Sequence, residues 1–252
     1  MISVNGKVAL ITGASRGIGA ATALRLAEQG ASLALNYFKH EAEASNVAER
    51  ARSLGVRAVA IQADVSRFED VRALFQRTID EFGRVDIVVA NAGIWTGDAV
   101  DQLDESKWKE TIDVNLGGVY ACCHFAAKLM KAQRSGCIIT VSSTAGQRGE
   151  ALHSHYAASK GGVISLTKSL ASELGPYGIN VNCVAPGWVD TDMSANPLRR
   201  TRELEKIVSD IPMRRVATAD DVAGPILFLA SELARHITGE VLNVNGGSVL
   251  CG

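Results

Sequence analysis

The sequence predicts an α/β fold: a doubly wound sheet of seven mainly parallel strands with helices on both faces. Seven short apolar runs alternate with longer segments of helical periodicity, which is the order that a parallel sheet requires. Most of these runs are continuously apolar, as expected of strands that are buried on both faces. The 252-residue chain shows no internal repeat and no linker, so we expect a single domain over residues 1–252.

The predicted strands and helices follow one another along the whole chain. Strands are predicted at 7–12, 32–37, 57–63, 85–93, 136–143, 179–187 and 240–247. Helices are predicted at 17–29, 42–54, 68–82, 107–133, 156–174 and 219–229. The segment TADD (218–221) has the form of a helix N-cap with an acidic residue three positions later. In such a sheet, ligands bind beyond the carboxyl ends of the strands, so we expect the chemistry there.

Composition and charge argue against several classes of function. The net charge is −1 and no basic run is present, so nucleic acid and anionic membranes are not expected as main partners. No apolar run approaches the ~18–20 residues of a membrane span, and the first predicted strand begins too early for a cleaved signal peptide. The five cysteines (Cys122, Cys123, Cys137, Cys183 and Cys251) have no metal-binding spacing. They indicate buried thiols in a reducing cytoplasm, so we expect a cytoplasmic protein without a metal site.

A glycine-rich turn follows the first predicted strand. The segment TGASRGIGAA (12–21) places Gly13, Gly17 and Gly19 where the strand passes into a helix. Glycine permits the close approach of a phosphate, and the helix N-terminus adds unpaired N–H donors. A tight turn alone would also use glycine, but this turn opens a strand–helix–strand unit. The pattern therefore predicts a dinucleotide-binding site.

A tyrosine and a lysine four residues apart form a second motif. In HSHYAASKGG (153–162), Tyr156 and Lys160 lie on the same face if the segment is helical. The small residues around them would leave room for a flat ring and a substrate. The spacing alone is weak, because a surface helix with one solvated lysine shows it too.

The motifs taken together resemble the short-chain dehydrogenase/reductase family over almost the whole chain. They are the G-x-x-x-G-x-G turn, ANAG (90–93), DVN (113–115), VSS (141–143), the tyrosine–lysine pair and PGWVDTDM (186–193). One departure is Ala90, which stands where the family's N-N-A-G motif begins. Among family members, the closest general likeness is to bacterial 3-oxoacyl-[acyl-carrier-protein] reductases. The resemblance implies a Rossmann fold and hydride transfer between a nicotinamide cofactor and a carbonyl or secondary alcohol.

The resemblance also implies a catalytic group made of Asn115, Ser143, Tyr156 and Lys160. Tyr156 would be the general acid/base, with the nearby ammonium favouring ionisation of a phenol whose reference pKa is about 10. Ser143 would polarise the carbonyl, Lys160 would hold the nicotinamide ribose, and Asn115 would hold a water that leads to solvent. From the residues alone, Ser143 could instead cap a strand end and Asn115 could bond a neighbouring carbonyl.

The residues expected to bind the cofactor lie at the predicted strand ends. By resemblance they are Gly13, Ser15, Arg16, Gly17, Ile18, Gly19, Asn36, Lys39, Asp64, Val65, Asn91, Ala92, Gly93, Tyr156, Lys160, Pro186, Gly187, Val189 and Thr191. An acidic residue after the second strand would bind the ribose hydroxyls and repel a 2′-phosphate. Asn36 and Tyr37 stand there instead, and Lys39 and Arg16 add positive charge, which favours NADP(H). Because Glu41 is nearby, NAD(H) stays as the alternative.

The substrate is left open by the sequence. We expect a carbonyl or alcohol substrate under a lid at 194–213, where Leu198, Leu204, Ile207, Val208 and Ile211 share one helical face. Alternatives are a 3-oxoacyl carrier-protein reductase, a sugar or small-alcohol dehydrogenase using NAD, and an isomerase or dehydratase. A nucleotide-sensing protein is disfavoured, because a pure binder has no need of the phenol.

Residues around the expected cleft allow more than one interpretation. Trp95 and Trp188 could line the substrate cleft or belong to the core. His153 and His155 are interpreted as surface or pocket-rim residues, since no third ligand stands at metal spacing. By resemblance, the helices predicted at 107–133 and from 156 onward pair with their copies, so we expect a homotetramer.

Overall fold

The computed structural model describes residues 2–250, and a seven-stranded parallel sheet forms its centre. In chain order the strands are β1 (Val8–Ile11), β2 (Ser32–Tyr37), β3 (Ala58–Gln62), β4 (Ile87–Ala90), β5 (Gly136–Val141), β6 (Ile179–Pro186), β7 (Val189–Asp190), β8 (Ala217–Thr218) and β9 (Val241–Val244). The sheet order is β3-β2-β1-β4-β5-β6-β9, and all neighbours are parallel. The predicted doubly wound fold is confirmed. β7 and β8 form a separate two-stranded sheet that the sequence did not indicate.

Helices cover both faces of this sheet. They are α1 (Gly17–Glu28), α2 (Glu41–Ser53), α3 (Phe68–Phe82), α4 (Glu105–Ile112), α5 (Gly118–Gln133), α6 (Thr144–Arg148), α7 (Ser154–Leu174), α8 (Ala195–Leu198), α9 (Thr201–Asp210) and α10 (Ala219–Ala230). α1, α2 and α10 contribute buried side chains to one core cluster, and α3, α5 and α7 contribute to the other. Two apolar layers therefore enclose the sheet.

β1 shows why the strands form continuous apolar runs in the sequence. Ala9 and Ile11 belong to the core cluster on one face of the sheet, and Leu10 belongs to the cluster on the other face. Successive side chains of a strand point to opposite faces, so a strand with both faces covered has no position left for a polar residue. All three residues are fully buried.

The predicted helix 107–133 is wrong in one respect, because it is two helices. α4 and α5 are joined by a π-helical turn at Asp113–Gly117, which contains Asn115. Such turns occur frequently at functional sites, and their wider spacing displaces a side chain from the regular helical positions. The turn places Asn115 inside the protein with none of its surface exposed.

The predicted N-cap at 218–221 is confirmed. The Thr218 side chain accepts from the Asp221 N–H at 3.2 Å, and the Asp221 carboxylate accepts from the Thr218 N–H at 2.8 Å. These reciprocal bonds satisfy two backbone donors at the start of α10.

The described cysteines mostly lie in the core. Cys122, Cys123 and Cys183 are buried, Cys137 is partly buried, and Cys251 lies outside the described residues. Burial raises the pKa of the Cys122 thiol to about 12. Within residues 2–250, no helix has the length and apolar character needed to cross a membrane.

Candidate active site

A cleft of about 550 Å³ opens beyond the carboxyl ends of the central strands. It extends from the glycine turn after β1 to Ser143 after β5 and to Tyr156 and Lys160 on α7. Its volume lies in the ~300–1,000 Å³ range of small-molecule sites. A second cavity of about 610 Å³ lies at the amino ends of the strands, beside Lys7 and Arg235, and contains none of the predicted site residues.

The glycine turn is held by hydrogen bonds from neighbouring strands. Asn91, just after β4, donates to the carbonyls of Thr12 at 2.9 Å and Gly13 at 3.2 Å. A side chain at Gly19 is impossible in this arrangement, because its Cβ would lie 2.2 Å from the Gly13 carbonyl oxygen. The absent side chain lets the start of α1 pack directly on the turn, which points the N–H groups of the helix end at the cleft.

Asn36 makes contacts inside the protein that the sequence did not indicate. Its side-chain oxygen accepts from the Gly13 N–H at 3.2 Å, and its amide donates to the carbonyls of Ala63 at 3.0 Å and Tyr37 at 3.2 Å. The residue is 2% exposed. Because the amide is used inside the protein, Asn36 lines the cleft but supports the turn rather than offering a free polar group. An aspartate here would face three carbonyl oxygens, those of Tyr37, Ile61 and Ala63, and would lose the bonds to them.

The part of the cleft next to the end of β2 is lined by Phe38, Lys39 and His40, of which Phe38 and His40 were not indicated by the sequence. The Lys39 ammonium lies 5.3 Å from the centre of the exposed Phe38 ring. Arg16 enters from the glycine turn and is paired with Asp192 at 3.1 Å. Two cations therefore line this part of the cleft, one of them paired with an aspartate.

The predicted cofactor residues come together in this cleft, with the exception of Gly19, which is buried against Gly13. At Gly93, an added Cβ would lie 3.2 Å from the Asn115 side-chain oxygen and 3.5 Å from the Lys160 Nζ. The missing side chain leaves a flat space beside the lysine, so the residues present fit a dinucleotide. The predicted residues that line the cleft are Gly13, Ser15, Arg16, Gly17, Ile18, Asn36, Lys39, Asp64, Val65, Asn91, Ala92, Gly93, Tyr156, Lys160, Pro186, Gly187, Val189 and Thr191.

The catalytic candidates also meet here. Lys160 and Tyr156 lie one turn apart on α7, with the ammonium 5.9 Å from the centre of the phenol ring. Both are buried, with exposures of 4% and 8%. The Lys160 ammonium donates to the Val141 carbonyl at 2.8 Å, which fixes α7 against the end of β5.

Burial decides the charge states of this pair. It raises the pKa of Tyr156 to about 12, against a smaller lowering by a hydrogen bond with Ser143, while the Glu150 carboxylate adds to the increase. Burial also lowers the pKa of Lys160 to about 8. The sequence suggested that the ammonium would promote ionisation of the phenol. In the structure desolvation outweighs that influence, so the phenol keeps its proton at neutral pH.

Asn115 and Ser143 both make hydrogen bonds with backbone groups. Asn115 bonds both backbone groups of Ile94, at 2.8 and 2.9 Å, and donates to the Ser159 hydroxyl at 3.3 Å. Ser143 accepts from the Ala145 N–H at 3.1 Å and so caps α6. Ser143 lines the cleft, whereas Asn115 is fully buried and is not among the cleft-lining residues, and the catalytic roles of both stay predictions.

An aromatic wall stands beside the catalytic pair, and its geometry is a feature that the sequence did not predict. Trp95 stacks on His153, with ring centres 4.5 Å apart and planes 3° apart, and meets Trp188 edge to face at 5.8 Å. Both tryptophans line the cleft, which decides between the two interpretations of these residues. The interpretation of His155 as a rim residue is wrong, since it is fully buried and lies 3.1 Å from the Thr96 hydroxyl.

Comparison with known proteins agrees with the fold. The chain belongs to the short-chain dehydrogenase/reductase family: a family model described as "Enoyl-(Acyl carrier protein) reductase" matches residues 13–248. It is accordingly an oxidoreductase that interconverts carbonyl and hydroxyl groups with a nicotinamide cofactor.

Individual relatives differ in the substrates that their names state. A 3-oxoacyl-[acyl-carrier-protein] reductase of Staphylococcus aureus is 42% identical over 241 residues, which cover 96% of this chain and 97% of the relative. A cyclohexanol dehydrogenase of a Rhodococcus species is 40% identical over 263 residues, with coverage of 98% and 97%. The crystal structure of a levodione reductase matches with a TM-score of 0.90 and 33% identity, covering 96% of this chain and 97% of that one.

Proposed function

We propose that the protein is an NADP(H)-dependent reductase of small ketones and β-keto esters, with Tyr156 as the general acid/base. One observation carries the proposal: Tyr156, Lys160 and Ser143 face the same cleft as the glycine turn. A binding protein would have no use for a buried phenol beside a buried ammonium.

The chain's own residues would supply binding, orientation and the proton. When bound, the nicotinamide cofactor supplies the hydride. The Ser143 hydroxyl would donate to the substrate carbonyl, and the Tyr156 phenol would protonate its oxygen during reduction. Because the pKa of Tyr156 is raised to about 12, the proton is present at neutral pH. Lys160 would hold the nicotinamide ribose, and Asn115 would keep the segment after β4 in place against α7.

The experiment is a scan of NADPH oxidation over ketones, sugars, 3-oxoacyl thioesters and a 2-enoyl thioester, with the product identified in each case. Turnover of ketones or 3-oxoacyl compounds to secondary alcohols supports the proposal. Reduction of the enoyl compound alone would contradict it, because Ser143 and Tyr156 are assigned to a carbonyl oxygen. Tight NADPH binding without turnover of any of them would favour the nucleotide-sensing alternative.

Cofactor preference should depend on Lys39. Replacing it with alanine (Lys39→Ala) should lower kcat/KM for NADPH about tenfold, the effect of losing one charge-assisted contact to a phosphate. The value for NADH should change little, since NADH has no 2′-phosphate. The comparison is the NADPH/NADH ratio of kcat/KM, with Lys128→Ala on α5 as the matched control. A wild-type enzyme that prefers NADH would overturn the assignment.

Attachment of the substrate to an acyl-carrier protein should not raise kcat/KM. Lys131 and Arg134, the basic residues that an acidic partner would use, lie 4.8 and 5.2 Å from the centre of the Tyr177 ring. Lys131 is also paired with Glu173 at 3.1 Å. Because this carboxylate already partly neutralises the patch, it offers little attraction to an acidic surface.

The measurement is kcat/KM for one 3-oxoacyl group on carrier protein, on coenzyme A and as a simple ester. We expect the carrier-protein value to be no higher than the other two. A preference of about a hundredfold for carrier protein that salt or Arg134→Glu abolishes would instead identify steering by this patch.

The segment 194–213 is proposed as the substrate lid. Met193 and Ser194 line the cleft. Leu204, Ile207 and Val208 on α9 are only half-buried, whereas Ile211, which was expected on the same face, follows α9 and is buried.

A homotetramer is proposed as the assembly. Tyr120 on α5 is 50% exposed beside Phe68. Burial of this aromatic surface between subunits would favour the tetramer, which light scattering at micromolar concentration would test.

A further inference from the structure

The substrate end of the cleft contains a carboxylate as well as two indole rings. Glu150, two residues after α6, lines the cleft together with Trp95, Trp188 and the catalytic Ser143 and Tyr156. Among residues 2–250, the contacts of its carboxylate are with Trp95 and His153, and neither residue is proposed to bind the cofactor. Its surroundings therefore bear on the substrate.

The aromatic wall is held in place from behind. His153 covers one face of the Trp95 indole in a parallel stack at 4.5 Å. His153 is itself packed on Gly97, where an added Cβ would lie 2.6 Å from the imidazole Nε2. Trp188 stands almost perpendicular to Trp95, with an angle of 85° between the rings. The two indoles thus form a corner whose geometry is set before a substrate enters.

Glu150 is attached to this corner. Its carboxylate accepts from the Trp95 indole N–H at 3.4 Å and lies 3.7 Å from His153 Nδ1. Its side chain is 28% exposed. Among residues 2–250, no lysine or arginine lies within ion-pair distance of this carboxylate. The negative charge of Glu150 acts on the catalytic phenol and contributes to the raised pKa of Tyr156.

The Glu150 carboxylate is partly buried beside two indoles and has no lysine or arginine partner among residues 2–250. Such a carboxylate favours a positively charged ligand. It repels anions, and it gains from a cation that replaces the lost water. Indole is the aromatic ring that attracts cations most strongly, and a corner of two such rings presents more than one aromatic surface to an ammonium group.

We propose that Glu150, Trp95 and Trp188 form a subsite for a positively charged group, so that the substrate class is a ketone or alcohol bearing an amino or quaternary ammonium group. This inference rests on the proposed carbonyl reduction and adds the charge of the substrate to it. The carbonyl would reach Ser143 and Tyr156 while the cation occupies the corner.

Arg148 is a positive side chain at the same end of the cleft and needs a separate test. It lies at the end of α6, is exposed, and lines the same cleft. Because Arg148 is exposed, its charge is largely screened by solvent, whereas the charge of the partly buried Glu150 is screened less. If Arg148 dominated, an anionic substrate would be preferred instead.

The experiment uses two esters of 3-oxobutanoic acid that differ in one atom. The choline ester carries a quaternary nitrogen, and the 3,3-dimethylbutyl ester has carbon in its place. We expect wild-type kcat/KM to favour the choline ester by about tenfold, within the range of a desolvated cation–π contact. Glu150→Gln should remove most of this preference while keeping an acceptor for the indole N–H, and Trp188→Phe should reduce it. Glu232→Gln, at the other end of the sheet, is the matched control.

Binding is measured as well as turnover, by tryptophan fluorescence in the presence of NADPH. Equal affinities and equal kcat/KM for the two esters, or a preference that Glu150→Gln leaves unchanged, would overturn the cation subsite. A preference for free 3-oxobutanoate that is lost in Arg148→Ala would overturn it too. If no carbonyl compound is reduced, the proposed function fails, and the relative affinities still decide the inference.

Discussion

Replacing Tyr156 with phenylalanine should abolish most of the activity and leave the fold unchanged. We expect kcat to fall by ~10²–10⁴-fold, the contribution of a positioned acid–base group. The ring should stay in place, because the Tyr156 carbonyl accepts from the Ser159 hydroxyl at 2.7 Å and this bond does not involve the phenol. Ser143 would keep its bond from the Ala145 N–H. The loss would therefore report on proton transfer.

Two measurements separate this effect from damage to the protein. The Kd for NADPH and the thermal midpoint of Tyr156→Phe should stay close to those of the wild type. Tyr120→Phe, which removes an exposed phenol from α5, should keep full activity. Turnover by Tyr156→Phe at near wild-type rate would refute the assigned mechanism.

The two reaction directions should also differ in pH dependence. Reduction needs the protonated phenol, and burial raises the pKa of Tyr156 to about 12, so kcat for reduction should be flat around neutral pH. Alcohol oxidation needs the phenolate, whose fraction rises about tenfold per pH unit below the pKa. At saturating cofactor, kcat for oxidation should thus rise with pH in the wild type, and the rise should be absent in Tyr156→Phe.

Local patterns were enough to predict the sheet and the edge where the cleft lies, whereas most residues of the cleft were expected from the family resemblance. Continuous apolar runs such as β1 follow from burial on both faces, and the strand ends identify the edge where ligands bind. The order of the strands in the sheet could not be predicted in this way, because an apolar run carries no information about which strand it pairs with.

The features that the sequence did not indicate are mostly contacts between distant residues. Asn36 supports the glycine turn through Gly13 and Ala63, which are 23 and 27 residues away along the chain. His155 is buried against Thr96, 59 residues away. The π-helical turn around Asn115 was missed because one extra residue in a turn changes the apolar periodicity too little to separate two helices.

Removing the charge of Lys160 should weaken both cofactor binding and the chemical step. Lys160→Met keeps the apolar length of this buried side chain, so the packing of α7 should survive better than with alanine. We expect the Kd for NADPH to rise by about 10–100-fold, the loss of a charge-assisted hydrogen bond to the ribose. We expect kcat to fall by ~10²–10³-fold as the electrostatic support of the site is lost. Tyr156→Phe should change kcat alone, which distinguishes the two roles.

The pH dependence of binding shows whether Lys160 acts through its charge. Burial lowers the pKa of Lys160 to about 8, so the ammonium is present below that pH and is lost above it. A cofactor that binds the ammonium raises the pKa of the lysine in the complex, and affinity must then fall as the pH rises through about 8. The Kd for NADPH, measured by fluorescence titration across this range, should rise in the wild type and stay constant in Lys160→Met. NADH should show the same rise, because the effect belongs to the ribose and not to the 2′-phosphate that Lys39 is proposed to hold. A wild-type Kd that is constant through this pH range would mean that Lys160 binds the cofactor without its charge, and the role assigned to it would have to be given up.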